Sequence, residues 1–391
     1  MKLQTTICRE GWYYIVVLAL VFGGAMLREV NLLLMLAAML VGPLLLSWRA
    51  VVVTLRNIEV RRKVPRDVCA GDLLVGNILL VNNRRHVGSW ALVVEEQIRR
   101  ENGKTRQKAL RPCVLFPYLP AGQERRGTYR GRLNRRGRYR LGPLRLSTRF
   151  PFGLLRRTIT IGDIDTLLVF PHLGRLSKAW AARHRESFSG MHRREQRPGP
   201  EGDFHSLREW REGDSRRLIH ARSSARTDKL MVRQFEQPRN RDLAVLLDLW
   251  QPKKPTADNL ENVELAVSFA ATVLADLCRK GGSNILLGTR QAEPECTAGP
   301  ASEALLRDLM CRLAEVEAQS TDRLDEMLDR LLGRIASGSE VVLVSTRPLD
   351  LTDATRYQSL HGTPSRRAML ERIRPIDTSS DELARYFQAE E

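Results

Sequence analysis

The sequence predicts an α/β protein built in successive parts: an N-terminal transmembrane helical hairpin, an antiparallel β-sandwich, and an α/β domain with a mostly parallel sheet. Three observations carry that expectation. Two long apolar runs with a polar break stand near the N-terminus; short β-rich runs punctuated by Asn, Gly and Pro follow; and from Arg241 buried-strand runs alternate with amphipathic helices. The corresponding boundaries are residues 1–56, 57–165, a charged intervening segment at 166–240, and 241–391.

The first element is the hairpin. Residues 12–27 and 32–48 are apolar runs, each close to the roughly 17 residues that a helix needs to cross a bilayer core. Arg28, Glu29 and Asn31 leave room between them only for a tight turn. Trp12, Tyr13, Tyr14 and Trp48 mark the outer ends, as expected of side chains at a headgroup interface. Lys2 and Arg9 precede the hairpin, and Arg49, Arg56, Arg61, Arg62 and Lys63 follow it, so both termini and the soluble parts are expected in the cytoplasm. A cleaved signal peptide is the competing reading, but no small-residue cleavage site precedes the second run. Neither run holds an intramembrane charge, which favours an anchor over a transport path.

The chain of 391 residues carries a net charge of +18, so its partners are expected to be acidic: nucleic acid, an anionic membrane face or an acidic protein surface. Its six cysteines are scattered without CxxC spacing or neighbouring histidines, which argues against both a zinc site and a disulfide framework.

The sandwich is expected from the runs at residues 73–81, 90–98, 114–119 and 158–161, with Asn82-Asn83 and Asn102-Gly103 read as turns. Arg125 to Arg149 is arginine-rich with Tyr129 and Tyr139 interleaved. One reading is the solvated face of strands; the other is a strip for nucleic acid or anionic lipid, with Arg135, Arg136 and Arg138 as its centre. Further on, strands are expected at 241–249, 284–287 and 340–345, and helices at 258–280, 302–316 and 323–336, with a closing helix at 381–388.

Between the two parts, residues 198–236 pack charged and small polar side chains at high density. Asp203, Glu209 and Asp214 alternate there with Arg208, Arg211, Arg216 and Arg217. A salt-bridged collar and a docking surface both fit that composition.

This segment resembles the diagnostic motif of the domain of unknown function 58 family. The matching residues are Gly202, Phe204, Leu207, Arg208, Glu209 and Trp210; then Gly213, Asp214, Arg217 and Ile219; then Ser224, Ala225, Arg226 and Thr227; then Leu230, Met231, Val232, Arg233, Phe235 and Glu236. The helical hairpin, the PFGL turn at 151–154 and the VFP strand end at 169–171 are similar to the same layout, whereas Ala221 stands where the family commonly has Trp. The resemblance implies a C-terminal domain similar to a von Willebrand factor A module. Many such modules hold a divalent metal through a D-x-S-x-S loop, a carboxylate and two hydroxyls suiting an oxygen-ligated cation. Here Asp248 is followed by Trp250 and Pro252 in place of the serines, and Ser345 by Thr346 where a further Asp would stand, so no metal or other cofactor is expected. The resemblance also implies partners: a MoxR-type AAA+ ATPase and other von Willebrand factor A proteins.

Searches for catalytic patterns find no GxxxxGK[ST], GxSxG, HExxH or GxGxxG context. His205 and His220 lie among arginines and read as surface or hydrogen-bonding groups. The arginines around Asp203 and Asp214 should keep both ionised, whereas acid–base catalysis needs one carboxyl with a raised pKa. The expected function is therefore non-enzymatic: a membrane-tethered adaptor or scaffold for client folding, assembly or cofactor maturation. Arg208, Glu209, Asp214, Arg217, Arg226 and Arg233 are its expected contact residues.

Overall fold

A computed structural model of the chain describes all residues except 1, 29–30, 66, 102–108, 183–202, 212–213, 237–241, 291–293, 337–338, 352–366, 368–369, 371 and 390–391. Among the sequence expectations, Asn102-Gly103, Gly202 and Gly213 lie outside the described residues, as do the side chains of Asp203, Phe204, His205, Arg217, Phe235 and Glu236. The chain divides into two compact units, Met1–His172 and Leu173–Glu391.

The first unit opens with a strand that the sequence reading did not anticipate, β1 (Lys2–Ile7). Two helices follow, α1 (Arg9–Arg28) and α2 (Asn31–Thr54), both long and apolar enough to cross a membrane. At about 1.5 Å per residue each exceeds or matches the ~30 Å of a hydrocarbon core. Trp12, Tyr13 and Trp48 are exposed. Tyr14 is not one of them; its hydroxyl donates to the carbonyl of Leu40, 2.7 Å away on α2.

Eleven further strands follow: β2 (Ile58–Lys63), β3 (Val68–Cys69), β4 (Leu73–Asn82), β5 (Ser89–Glu95), β6 (Ile98–Arg100), β7 (Cys113–Leu119), β8 (Glu124–Arg132), β9 (Gly137–Leu141), β10 (Leu144–Thr148), β11 (Leu155–Ile161) and β12 (Asp165–Phe170). They form three sheets, in the orders β1-β11-β10-β5-β7, β2-β4-β8 and β3-β12-β9-β6. Every pairing is antiparallel except β3 with β12. Alternation does the sorting: Leu74, Ile78 and Leu80 of β4, Leu92 and Val94 of β5, and Tyr139 and Leu141 of β9 point into one apolar core, while their neighbours point out. Arg138 and Arg140 on β9, and Arg125, Arg126, Arg130 and Arg132 on β8, accordingly face solvent. Because β12 completes the third sheet beside β9, this unit takes in residues 166–170, which the sequence reading had assigned to the following segment.

Pairing of β1 with β11, from Lys2↔Thr160 to Ile7↔Leu155, brings the start of the hairpin back to the sheet. The end of the hairpin is fixed to the same sheet. The Arg84 guanidinium donates to the last carbonyls of α2, at Val53 and Thr54, and to the Ser89 hydroxyl, while that hydroxyl donates to Thr54. A cation over the carbonyl end of a helix opposes the negative pole of its dipole. Asn82, read from sequence as half of a turn, is fully buried and positions that arginine by accepting from its backbone N–H and Nε.

A second interior feature is polar. Arg62 of β2 donates to Glu96 at 2.6 Å and to Asp165 at 2.5 Å, and the Tyr129 hydroxyl donates to the other Glu96 oxygen at 2.5 Å. The Arg62 and Glu96 side chains are 1% and 0% exposed. Burial, then the Glu96 charge, push the Tyr129 phenol far above its ordinary range. Arg62, counted from sequence among the cations that orient the hairpin, is therefore committed to an internal pair.

The second unit is α/β. Strands β16 (Leu243–Asp248), β17 (Asn284–Arg290), β19 (Glu340–Ser345) and β20 (Ile373–Asp377) are parallel, and β18 (Pro294–Pro300) adds an antiparallel edge, in the order β18-β17-β16-β19-β20. Helix α4 (Ala257–Lys280) begins at a Thr256/Asn259 capping box and ends at Gly281 in the left-handed region. Helices α5 (Glu303–Glu315), capped by Ser302, and α6 (Leu324–Leu332) follow. Leu324, Met327, Leu328 and Leu331 of α6 pack on Ala244, Leu246, Val341 and Leu343. The intervening residues Leu243, Val245 and Leu247, equally buried, face the other side.

Residues 381–388 do not form the expected closing helix. A single 3-10 turn, Leu383–Arg385, leads into β21 (Phe387–Gln388), which pairs with β13 (Arg175–Leu176). Tertiary packing overrides the helical pattern: the Phe387 ring meets Phe269 of α4 edge-on at 5.7 Å, and Trp180 meets the same Phe269 at 5.3 Å.

Candidate functional site

Two places in the second unit concentrate polar side chains. The first is the motif segment, where β14 (Asp203–Glu209) and β15 (Met231–Glu236) form an antiparallel hairpin with a bulge between Phe204 and Ser206. Between the strands lie a 3-10 turn, Arg216–Leu218, and the short helix α3 (Ala221–Thr227). Arg208 and Asp214, expected as contact residues, meet each other in a two-pronged pair with both N–O distances 2.7 Å. Asp214 also accepts from the backbone N–H of Arg211, and its carbonyl from the Trp210 indole. Arg208 first, then that N–H, hold the Asp214 carboxyl below its usual range, so it stays ionised.

His220 caps α3, its Nδ1 accepting from the N–H of Ser223. The Ser224 hydroxyl donates to the carbonyl of His220 and accepts from the N–H of Met231, tying helix to strand. Asp228, with φ 55°, ends the helix in the left-handed region. The small polar residues of the motif are thus turned inward on the backbone. Glu209, Arg226 and Arg233 are left exposed, with Glu209 paired to Lys229 at 2.6 Å. Arg217 lies on the 3-10 turn. Replacing Ser224 with alanine should cost the hairpin about 1 kcal/mol, speeding amide exchange at Met231 by roughly fivefold in a hydrogen–deuterium exchange experiment.

The second place is the carboxyl end of the parallel sheet. After β16 the chain builds β17 on one side of it and β19 on the other, so the cleft outside β16 and β19 is a topological switch point, where open α/β sheets hold their ligands. Asp248 and Ser345 sit opposite each other there. Arg347 fills the space between carboxylates: its Nε lies 3.2 Å from Asp248 and its NH2 2.5 Å from Asp322, with its guanidinium 5.5 Å over the Trp250 ring. The Ser345 hydroxyl donates to Asp248 at 3.3 Å. Thr346 bonds both the N–H and the carbonyl of Trp250, closing the loop. Burial pushes the Asp248 carboxyl up and Arg347 pulls against it. A guanidinium already neutralising Asp248, with Trp250 and Pro252 in place of hydroxyl ligands, does not fit a divalent metal. Among the described residues no three His, Cys, Asp or Glu side chains cluster as metal ligands.

Sequence reasoning missed Arg347, Asp322 and Lys229, as well as Glu96 and Asp165, the partners of Arg62, and Tyr129, which donates to Glu96. Arg347 had a readable signal, a cation two positions beyond Ser345 at the end of a buried strand. The others lie far in sequence from the groups they meet.

With this geometry in place, residues 206–366 match the family described as Protein of unknown function DUF58. Over this span the chain is similar to that family. The DUF58 match covers the 206–236 part of the motif hairpin and the sheet from β16 through β19, both polar places included. Over 152 residues the chain is 29% identical to the uncharacterized protein YeaD of Bacillus subtilis (strain 168), covering 37% of this chain and 34% of that protein. The alignment thus spans about a third of the relative's length. Solved structures overlap weakly: a beta-glucosidase from Listeria innocua (TM-score 0.20, 13% identity, 29% of this chain and 16% of that one) and the sporulation control protein Spo0M from Bacillus subtilis (TM-score 0.19, 12% identity, 39% and 58%).

Proposed function

We propose that the protein is a membrane-tethered, non-enzymatic adaptor whose DUF58 domain docks a MoxR-type AAA+ ATPase and presents it to clients for folding, assembly or cofactor maturation. The observation that carries this reading is the construction of the motif hairpin. Its hydroxyls, the capping histidine and the Arg208–Asp214 pair hold the backbone, while Arg226 and Arg233 stand outward as cations for an acidic partner surface.

A von Willebrand factor A-like architecture for the second unit is supported by the central parallel strands, the switch point at Asp248 and the helices on both faces. In this reading Arg347 replaces the cation of a metal-dependent module, and docking needs no metal. The apolar helices α1 and α2 support a membrane anchor. Both ends of that hairpin attach to one sheet, which with the flanking cations supports a cytoplasmic body.

The test is affinity capture of the tagged full-length protein from detergent extract, with and without nucleotide, followed by binding to the purified ATPase. Changing Arg226→Glu together with Arg233→Glu should weaken that binding by about tenfold or more, since like charges then face each other. Failure to recover any such ATPase, under either nucleotide condition, would overturn the proposal.

A further inference from the structure

The five-stranded sheet of the first unit presents one edge at which Ile7 ends β1, Leu155 begins β11, Thr148 ends β10, Ser89 begins β5 and Leu119 ends β7. Both membrane-length helices leave from this edge. Helix α1 starts directly after β1, and Gly11 lies so close to the Leu154 carbonyl that a Cβ there would come within 2.2 Å of it. Val51 of α2 packs on Leu154 and Leu155, with Tyr14 alongside. The edge is therefore the base of the hairpin.

On this edge stands an aromatic cluster that the soluble fold does not cover. Trp90 lies 4.2 Å from the Tyr118 ring and 5.9 Å from the Phe150 ring, centroid to centroid. Trp90 remains 48% exposed, Tyr118 41% and Phe152 53%. Large rings left in water at adjacent strand ends form an apolar patch of the kind that marks an interaction surface. Arg85 in the loop before β5 and Arg149 after β10 are exposed close to it in the chain, and Arg9, Arg49 and Arg56, together with Glu10, are exposed on and just beyond the helices. Trp12, Tyr13 and Trp48 are exposed on the helices near the same base. Amphipathic rings at the base of the hairpin, with arginines close by in the chain, match the chemistry of a headgroup layer, apolar toward the acyl chains and anionic at the surface.

We infer that the rim formed by Trp90, Tyr118, Phe150 and Phe152 rests in the headgroup layer of the bilayer that α1 and α2 cross, with Arg85 and Arg149 on anionic lipid. The sandwich is then held in one orientation against the membrane by two kinds of contact, the hairpin and the rim, rather than swinging on a tether. This rests on the anchor reading above, and the test separates the two.

Full-length protein is placed in vesicles of phosphatidylcholine and phosphatidylglycerol, with or without lipids brominated near the headgroup. The emission of each tryptophan is taken as the difference between wild type and Trp90→Phe, Trp12→Phe or Trp48→Phe. Bromolipid should reduce the Trp90 component by about twofold or more, as it does those of Trp12 and Trp48, while aqueous iodide leaves it unchanged. Arg85→Glu with Arg149→Glu should restore iodide quenching of Trp90 without releasing the protein from vesicles. Trp90 quenched by iodide and not by bromolipid, with Trp12 and Trp48 still meeting lipid, overturns the inference and leaves the anchor standing. Trp90 shielded from both quenchers means that protein covers the rim, which also overturns it. If none of the three meets bromolipid, the anchor reading fails and the rim contact with it.

Discussion

Replacing Arg62 with methionine is expected to destabilise the first unit by about 3–5 kcal/mol, the cost of leaving a buried partner charge uncompensated. Glu96 is fully buried, and its other hydrogen bond comes from Tyr129, which cannot supply a positive charge. Asp165 is 58% exposed and returns to water at little cost once the arginine is gone. The decisive comparison is the triple replacement Arg62→Met, Glu96→Leu and Tyr129→Phe. It removes both charges and the hydroxyl that would otherwise lose its acceptor, so its stability should lie within about 1–2 kcal/mol of wild type. Thermal and denaturant unfolding of the full chain in detergent micelles measures both. A triple variant as unstable as the single one would mean that shape, not charge, makes the site sensitive.

Replacing Arg347 with alanine should cost the second unit about 3 kcal/mol near pH 8, with a smaller loss as the pH falls toward the carboxylate range. Burial already pushes the Asp248 carboxyl up, and Arg347 is the largest influence opposing that rise. Without the guanidinium, folded Asp248 holds its proton to higher pH than the unfolded chain does. The folded state then binds more protons, so stability falls as pH rises from the ordinary carboxylate value through the raised one. Adding Asp248→Asn removes the titrating group and should abolish the extra pH dependence. Melting temperatures of the three proteins across pH 5 to 8 decide it: a loss independent of pH would show that Arg347 acts through its packing on Trp250 rather than through charge.

The two variants probe different units but share a physical form, a cation enclosed with a carboxylate from a distant part of the chain. That form explains how much of the molecule was legible beforehand. The hairpin helices, the strands at 73–82 and 340–345 and helix 257–280 were visible because periodicity, capping residues and apolar runs are properties of neighbouring residues. Strand β18 was missed, since Pro294, Gly299 and Pro300 suit an edge strand but not a strand pattern. Strand β1 was hidden by its position before an apolar run that dominated the reading.

The motif was legible as a motif, yet its division of labour was not. Arg208 and Asp214 are six positions apart and could be paired on paper, but only the folded hairpin turns Ser224 onto Met231 and leaves Arg226 outward. By itself the sequence determined the order of helices and strands, the basic balance of the chain and the poverty of hydroxyl ligands after Asp248. The tertiary structure alone decided that Arg347 fills that place, that Arg62 is buried rather than displayed, and that residues 387–388 extend as a strand beside residues 175–176. Local conformation is set by side chains a few positions apart, whereas the partner of a charge is chosen by which distant segments the core brings within about 3 Å.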